Sequence, residues 1–255
     1  MNIKVKDMII GEGKPKVCVP VVENNDQDII NRLKEMDQLN VDLIELRIDF
    51  YKDIENDEAV SSLFRHIYQL NMKKPIILTC RTLNEGGQVE LDSKKYLKLY
   101  QSAVDSQAFD IYDVELSLGT NMIIELKSMI HGAEKYILMS SHHFQRTPEQ
   151  DSLMQKFKIM DSFDADIFKI AVMPEDMFDV FNLLSLTVKA KEEYPNKPIV
   201  TMSMSNLGLV SRLLGEQCGS AITFGCVGKT SAPGQIDYEE LNQILDIIHH
   251  HVNEK

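Results

Sequence analysis

The chain has 255 residues, 44% of them apolar and 26% charged, the make-up of an ordinary globular protein able to bury a substantial core. A formal net charge of −12 excludes a broad nucleic-acid or anionic-membrane surface, although a small basic pocket could still take an acidic ligand. No run nears the roughly 18 apolar residues of a membrane helix, MNIKVKDMIIGEGKPKV carries no secretory leader, and the scattered Cys18, Cys80, Cys218 and Cys226 read as reduced thiols, so a cytoplasmic protein without membrane or nucleic-acid partners is expected.

In chain order, NIKVKDMIIGEGKPK alternates weakly and reads as a small β-hairpin. Short β-rich runs then recur: KVCVPVV from Lys16, VDLIELRID from Val41, PIILTCR from Pro75 and FDIYDVEL from Phe109. KYILMSS follows from Lys135, ADIFKIAV from Ala165, PIVTMSM from Pro198 and SAITFGCV from Ser220. Amphipathic stretches with apolar residues at helical spacing separate them, such as DQDIINRLKEMDQL from Asp26 and PEDMFDVFNLLSLTVKAKEEY from Pro174. DYEELNQILDIIHHHV closes the chain.

Eight strand-then-helix units, spaced by about 25 to 30 residues in a chain near the typical length of ~250, predict an α/β fold. The expected form is one (β/α)8 TIM barrel over residues 1–255, with the N-terminal hairpin covering its bottom. An open doubly wound sheet would carry G-x-G-x-x-G after its first strand, but ENNDQDII after Val22 has no glycine. GCVGKT at Gly225–Thr230 ends like a phosphate-binding loop, yet two residues separate its glycines where four are needed, and Thr223 stands in the first glycine's place. It reads as a turn.

Alternate side chains of a barrel strand face the interior, and the C-terminal strand ends form the mouth where chemistry occurs. That parity sets Glu45, Arg47 and Asp49 on one face of the second barrel strand, and Asp113 with Glu115 on one face of the fourth. It ends the third strand at Arg81 with Glu85 in the loop beyond, brings His142 and His143 to the end of the fifth, and Lys169 to the sixth. Each has an ordinary explanation alone: a structural ion pair, solvated loop histidines, a paired interior lysine. Together they fit it poorly, because each buried charge costs several kcal/mol unless well paired, and a convergent polar cluster reads as an active site. The terminal histidines 249–251 fan around a helix and are set aside.

No metal is expected, because Arg47, Arg81 and Lys169 in one mouth would repel a divalent cation and no H-E-x-x-H spacing is present. A lysine nucleophile fits better: a neutral amine attacks a ketone to form an imine, which withdraws electrons from the adjacent carbon. The apolar run IFKIAVM and neighbouring cations are expected to keep Lys169 neutral and reactive.

The segments ELRID (45–49), SSHHFQRTP (140–148), ADIFKIAVMP (165–174) and MSMSNLGLVSRLLGEQCGSAITFGCVGKTSAPGQI (202–236) add specificity. In this order and strand context the sequence resembles the type I 3-dehydroquinate dehydratases, Schiff-base barrel lyases of the shikimate pathway, over essentially its whole length. The resemblance implies dehydration of the small molecule 3-dehydroquinate to 3-dehydroshikimate, with no cofactor, by a homodimer. It assigns Lys169 as the imine former and His142 as the general acid/base, with Glu85 and Asp113 tuning or orienting the two. Arg212 would pair with the substrate carboxylate, Glu45, Arg47 and Arg81 would position ring hydroxyls, and Met202, Met204 and Phe224 would line the site. Ser231 and Gln235 match a loop that closes over the substrate.

Two positions depart from the family pattern: His143, where an aspartate is common, and SNLG after the seventh strand, with leucine where charged residues often occur. The rivals are a Schiff-base aldolase on the same fold and a non-catalytic metabolite-binding barrel. An aldolase would want a glycine-rich phosphate loop late in the barrel, which SNLG and SAPGQ do not offer. Intact Lys169, His142 and Arg212 argue against mere binding.

Overall fold

In strands buried on both faces, successive side chains go to opposite sides of the sheet. The run Ile167–Val172 shows what this does here. Phe168, Ile170 and Val172 join an outer apolar layer, Ile167 and Ala171 join an inner one, and Lys169 is left inside the ring. Repeated around the sheet, this alternation separates a helix-facing core from a barrel interior. The computed structural model describes residues 2–228 and 234–253.

A hairpin of β1 (Ile3–Val5) and β2 (Met8–Ile10) comes first. The barrel strands are β3 (Lys16–Val21), β4 (Leu43–Arg47), β5 (Ile76–Thr79), β6 (Ile111–Glu115), β7 (Tyr136–His143), β8 (Ile167–Val172), β9 (Ile199–Ser203) and β10 (Ile222–Phe224). All their pairings are parallel, in the order β10-β3-β4-β5-β6-β7-β8-β9. Among the described residues, β9 and β10 meet through one isolated bridge, Ile199 with Ser220, so the ring closes at this seam without a ladder. The fold is the expected (β/α)8 barrel.

The helices between strands are α1 (Asp26–Met36), α2 (Asp57–Gln69), α3 (Ser93–Ser106), α4 (Thr120–Gly132), α5 (Gln150–Ser162) and α6 (Met177–Glu193). Side-chain caps start several of them: the Asn25 side chain accepts from the Asp28 N–H, and the Asp176 side chain from the Asp179 N–H. The seventh unit departs from the even pattern. Its helix is split into α7 (Leu209–Leu213) and α8 (Gly215–Cys218), before α9 (Tyr238–Asn253) ends the barrel.

The hairpin lies where the sequence placed it. Ile3, Val5 and Ile10 pack with Leu43, Ile77, Ile111 and Ile222 at the base of the ring. Lys6 fixes it there, donating to the Met72 and Lys74 carbonyls at 2.9 Å each and pairing with Asp110 at 3.3 Å.

The strand starts share one device. The side chains of Asp42, Asp110 and Asp166 accept from the N–H groups of Val17, Ile76 and Ile137 at 2.8, 2.9 and 2.8 Å, reaching sideways to the preceding strand. Ser220 takes the fourth such place, accepting from Thr201 N–H at 3.2 Å. The described part of the Gly225–Thr230 stretch, residues 225–228, opens no helix; Cys226 exchanges hydrogen bonds with the 236–238 segment instead.

Candidate active site

Strand parity delivers charged side chains to the mouth, and their partners decide what each can do. Lys169 Nζ lies 3.4 Å from Glu45 Oε1 and 3.5 Å from Asp113 Oδ2, and 4.4 Å from the centre of the Phe224 ring. This corrects the expectation that cations surround the amine: its nearest charged partners are carboxylates. The apolar neighbours in sequence, Phe168 and Ile170, face the helices and leave the amine to this polar setting. Glu45 also accepts from Thr79 Oγ1 at 3.0 Å.

β5 stops at Thr79, so Arg81, the expected strand end, sits two residues past it. Its guanidinium donates twice to Asp113, at 3.2 and 2.6 Å, and to Glu115 and Ser140 at 2.9 Å each. Burial opposes its charge, but Asp113 and Glu115 outweigh that and hold its pKa well above the usual value. Burial likewise pushes against ionised Asp113, yet Arg81, Lys169 and the Ser140 hydroxyl keep its carboxyl below the usual range. Arg81 is therefore a hub for carboxylates before any ligand arrives. Arg47 folds onto Asp49 with both contacts at 2.8 Å, and Asp49 belongs to a short turn after β4 rather than to the strand.

His142 and Glu85 form a second unit. Glu85 Oε2 lies 2.9 Å from His142 Nδ1 and accepts from the His142 backbone N–H at 3.1 Å. Burial, then Glu115, raises the Glu85 pKa to about 7 against the pull of Arg81. Burial and the cations Arg81, Lys169 and Arg47 hold His142 well below the usual imidazole value. The Glu85 turn ends at Gly86 with φ +81°, where a Cβ would stand 2.4 Å from the Phe144 ring, so that ring seats directly on the turn. His143 points away from this unit, with Ser141 Oγ at 3.4 Å, and burial beside Lys156 and Arg146 pushes its pKa down to about 4.

Arg212 lies on α7, buried at 2% exposure, and donates to the Phe224 carbonyl at 3.4 Å. Burial pushes its pKa down to about 10, still cationic at neutral pH. Glu45, Arg47, Arg81, Glu85, His142, Lys169, Met202, Met204, Arg212, Phe224 and Gln235 line one cavity of about 70 Å³ at the strand C-termini. Asp113 stands behind Lys169 and Arg81 without lining it. Ser231 lies outside the described residues. Among the described residues no cluster of three His, Cys, Asp or Glu could hold a metal ion, and no helix is long and apolar enough to cross a membrane.

Four residues of this network had no assigned role in the sequence reading: Asp49, Thr82, Glu115 and Ser140. Asp49 and Glu115 were visible as inward charges on their strands. Their partners, the loop amides of Arg81, Thr82 and Gln88, could not be read from spacing.

Fold and site together define a (β/α)8-barrel enzyme in which an interior lysine, a carboxylate-backed histidine and a buried arginine share one cavity. Residues 17–252 match the family model described as type I 3-dehydroquinase. The 3-dehydroquinate dehydratase of Clostridioides difficile (strain 630) is 38% identical over 252 residues, 99% of each chain, and that of Escherichia coli (strain K12) is 38% identical over 248 residues, 97% of this chain and 98% of its own. The Clostridium difficile type I enzyme, solved with covalent modified comenic acid, superposes with a TM-score of 0.94 at 37% identity, covering 98% of this chain and 99% of its own. The Geobacillus kaustophilus 3-dehydroquinate dehydratase gives 0.94 at 32% identity over 100% and 98%. The chain belongs to the type I 3-dehydroquinase family.

Proposed function

We propose that this single catalytic domain dehydrates 3-dehydroquinate to 3-dehydroshikimate, a shikimate-pathway step, through an imine on Lys169. The observation that carries the reading is that Lys169 and the His142–Glu85 pair open onto one small cavity, with Arg212 also in its lining. Lys169 Nζ attacks the ketone carbon, and loss of water from the resulting carbinolamine leaves the iminium. Asp113 and Glu45, in contact with Nζ, are placed to take the protons the amine sheds.

Neutral His142 removes a proton from the adjacent carbon, and the electron pair moves into the iminium to give an enamine. The enamine then expels the neighbouring hydroxyl, which takes the proton from His142 and leaves as water. A second water hydrolyses the imine and regenerates the amine, so no cofactor enters the balance. Arg212 binds the carboxylate, where a guanidinium fork matches two oxygens. Glu45 and Arg47 position ring hydroxyls; Arg81, with its donors already on Asp113, Glu115 and Ser140, acts mainly by holding the carboxylates in place. The family resemblance supports substrate contacts by Ser231 and Gln235, while Met202, Met204 and Phe224 exclude water. The family resemblance further supports a cytoplasmic homodimer, which light scattering on the purified protein tests.

The deciding experiment is mass spectrometry after borohydride treatment with 3-dehydroquinate present. One ligand mass should appear on the peptide containing Lys169, with Lys189 and Lys191 unmodified and no adduct in Lys169→Ala. An adduct elsewhere, or none while turnover continues, rules out the imine.

A further inference from the structure

Thr82 is the pivot of the turn that brings Glu85 to His142. Its carbonyl accepts from the N–H groups of Glu85 at 3.0 Å and Gly87 at 2.8 Å. The turn is drawn so tight that a Cβ on Gly87 would lie 1.8 Å from the Arg81 carbonyl oxygen. The remaining polar groups of Thr82 both go to one fully buried carboxylate: its N–H donates to Glu115 Oε1 at 2.9 Å and its hydroxyl to Glu115 Oε2 at 2.6 Å. Oε1 also takes Arg81 Nη1 at 2.9 Å. Asp49 touches the same loop through longer main-chain contacts, to Arg81 N–H at 3.4 Å and Gln88 N–H at 3.2 Å. Glu115 itself does not line the cavity.

We infer that Glu115 is a positioning residue for proton transfer: by clamping Thr82 it fixes the turn that holds Glu85 against His142. The inference rests on reading Glu85 and His142 as the acid/base pair. It gives β6 two tasks on one face, since Asp113, two residues earlier, supports Lys169. The strand thereby sets the amine and the base relative to one another, and reach between reacting groups is where small displacements are costly in rate.

Two variants test it. Glu115→Gln keeps the side chain's shape and removes its charge; Thr82→Val keeps volume and removes the hydroxyl. Steady-state kcat and KM would be measured across pH beside the NMR titration of the His142 ring, with the folded fraction counted from the same spectra. Glu115→Gln should lower kcat about ten- to a hundredfold while KM changes less than about threefold. The proton held by the Glu85–His142 pair, followed at the His142 ring, should leave at lower pH, because the buried carboxylate that favours protonated Glu85 is gone. The other groups facing the pair, Arg81, Asp113, Lys169, Arg47 and His143, are unchanged.

Thr82→Val should lower kcat about three- to tenfold without moving the titration, and Thr82→Ser should recover most of that loss. The ring titration does not require His142 to be the catalytic base. A moved titration beside a fully active His142→Ala would therefore sink the proposed chemistry, and with it the role in proton transfer, while leaving Glu115's hold on the Glu85–His142 pair standing. Wild-type kcat per folded molecule with an unmoved titration in Glu115→Gln overturns the inference. If that variant does not fold, wild-type kcat in Thr82→Val overturns it instead.

Discussion

Glu85 meets His142 twice with one oxygen: Oε2 is 2.9 Å from Nδ1 and 3.1 Å from the backbone nitrogen. The carboxyl thus fixes both the ring and the strand end that bears it, leaving Nε2 as the ring nitrogen not engaged by this contact. A side chain held in this way is oriented before a ligand binds, the condition under which a general base is most effective.

His142 and His143 can be separated by mutation. Adjacent strand residues face opposite sides, and only His142 lines the cavity. His142→Ala should lower turnover by about two to four orders of magnitude while imine formation on Lys169 continues, so a borohydride-trapped adduct accumulates. His143→Ala should keep most activity. Steady-state turnover beside trapped mass checks both, and an inactive His143→Ala beside an active His142→Ala would overturn the assignment.

The pair also governs how stability depends on pH. Glu85, raised to about 7, gains a proton on folding where a free carboxyl would have lost it, whereas His142, depressed, loses one where a free imidazole would hold it. The two effects have opposite sign and largely cancel between the ordinary carboxylate and imidazole values. Glu85→Gln removes the first and keeps the second. A depressed His142 contributes stability that is complete above its unfolded pKa and is lost as pH falls below it. The unfolding free energy of the variant should therefore fall more steeply than that of wild type from pH 7 to pH 5, by up to about 1.4 kcal/mol per pH unit, and its Tm with it. Parallel Tm-against-pH curves would show that the pair is not coupled to folding.

Arg212→Lys keeps a cation but loses the planar fork. KM for the substrate should rise by about ten- to a hundredfold, corresponding to about 1.4 to 2.8 kcal/mol of binding, with the circular dichroism spectrum unchanged. An unaltered KM would place the carboxylate elsewhere.

At the other end of the barrel, Asp110→Ala should leave the Ile76 N–H without its acceptor and Lys6 without its carboxylate. Such a loss costs about 1–3 kcal/mol, visible as a lower denaturation midpoint with kcat unchanged. A fall in kcat at full stability would mean that the barrel base communicates with the mouth.

The architecture was legible because period-two alternation and regular spacing are local properties of sequence. The runs around Lys169 and Glu45 carry their own inward parity, whereas Arg212, on α7, and Met202, Met204, Phe224 and Gln235 were reached only through the family resemblance. Partnerships were less legible, since they depend on where loops return. Arg81 reads as a ligand-binding cation, and nothing near it in sequence tells that Asp113, Glu115 and Ser140 already meet its guanidinium. Lys169 reads as an amine among cations until Glu45 and Asp113 are found beside it. The repeated aspartates in VDLIEL, FDIYDV and ADIFKI stand at equal places before alternate strands, yet their sideways bonds to a neighbouring strand leave no local signature.

The seam between β9 and β10 gives Arg212 a mechanical meaning. Its carbonyl accepts from Thr223 Oγ1 at 2.9 Å and its guanidinium reaches the Phe224 carbonyl, both on β10, while Met202 of β9 lies 4.0 Å from the same nitrogen. An anion gripped there would act as a hoop across the two least-joined staves, drawing the ring shut by its charge where the peptide ladder leaves a gap. Ligand occupancy should then slow amide exchange along residues 199–203 and 222–224 even in Lys169→Ala, which lacks the amine of the proposed imine.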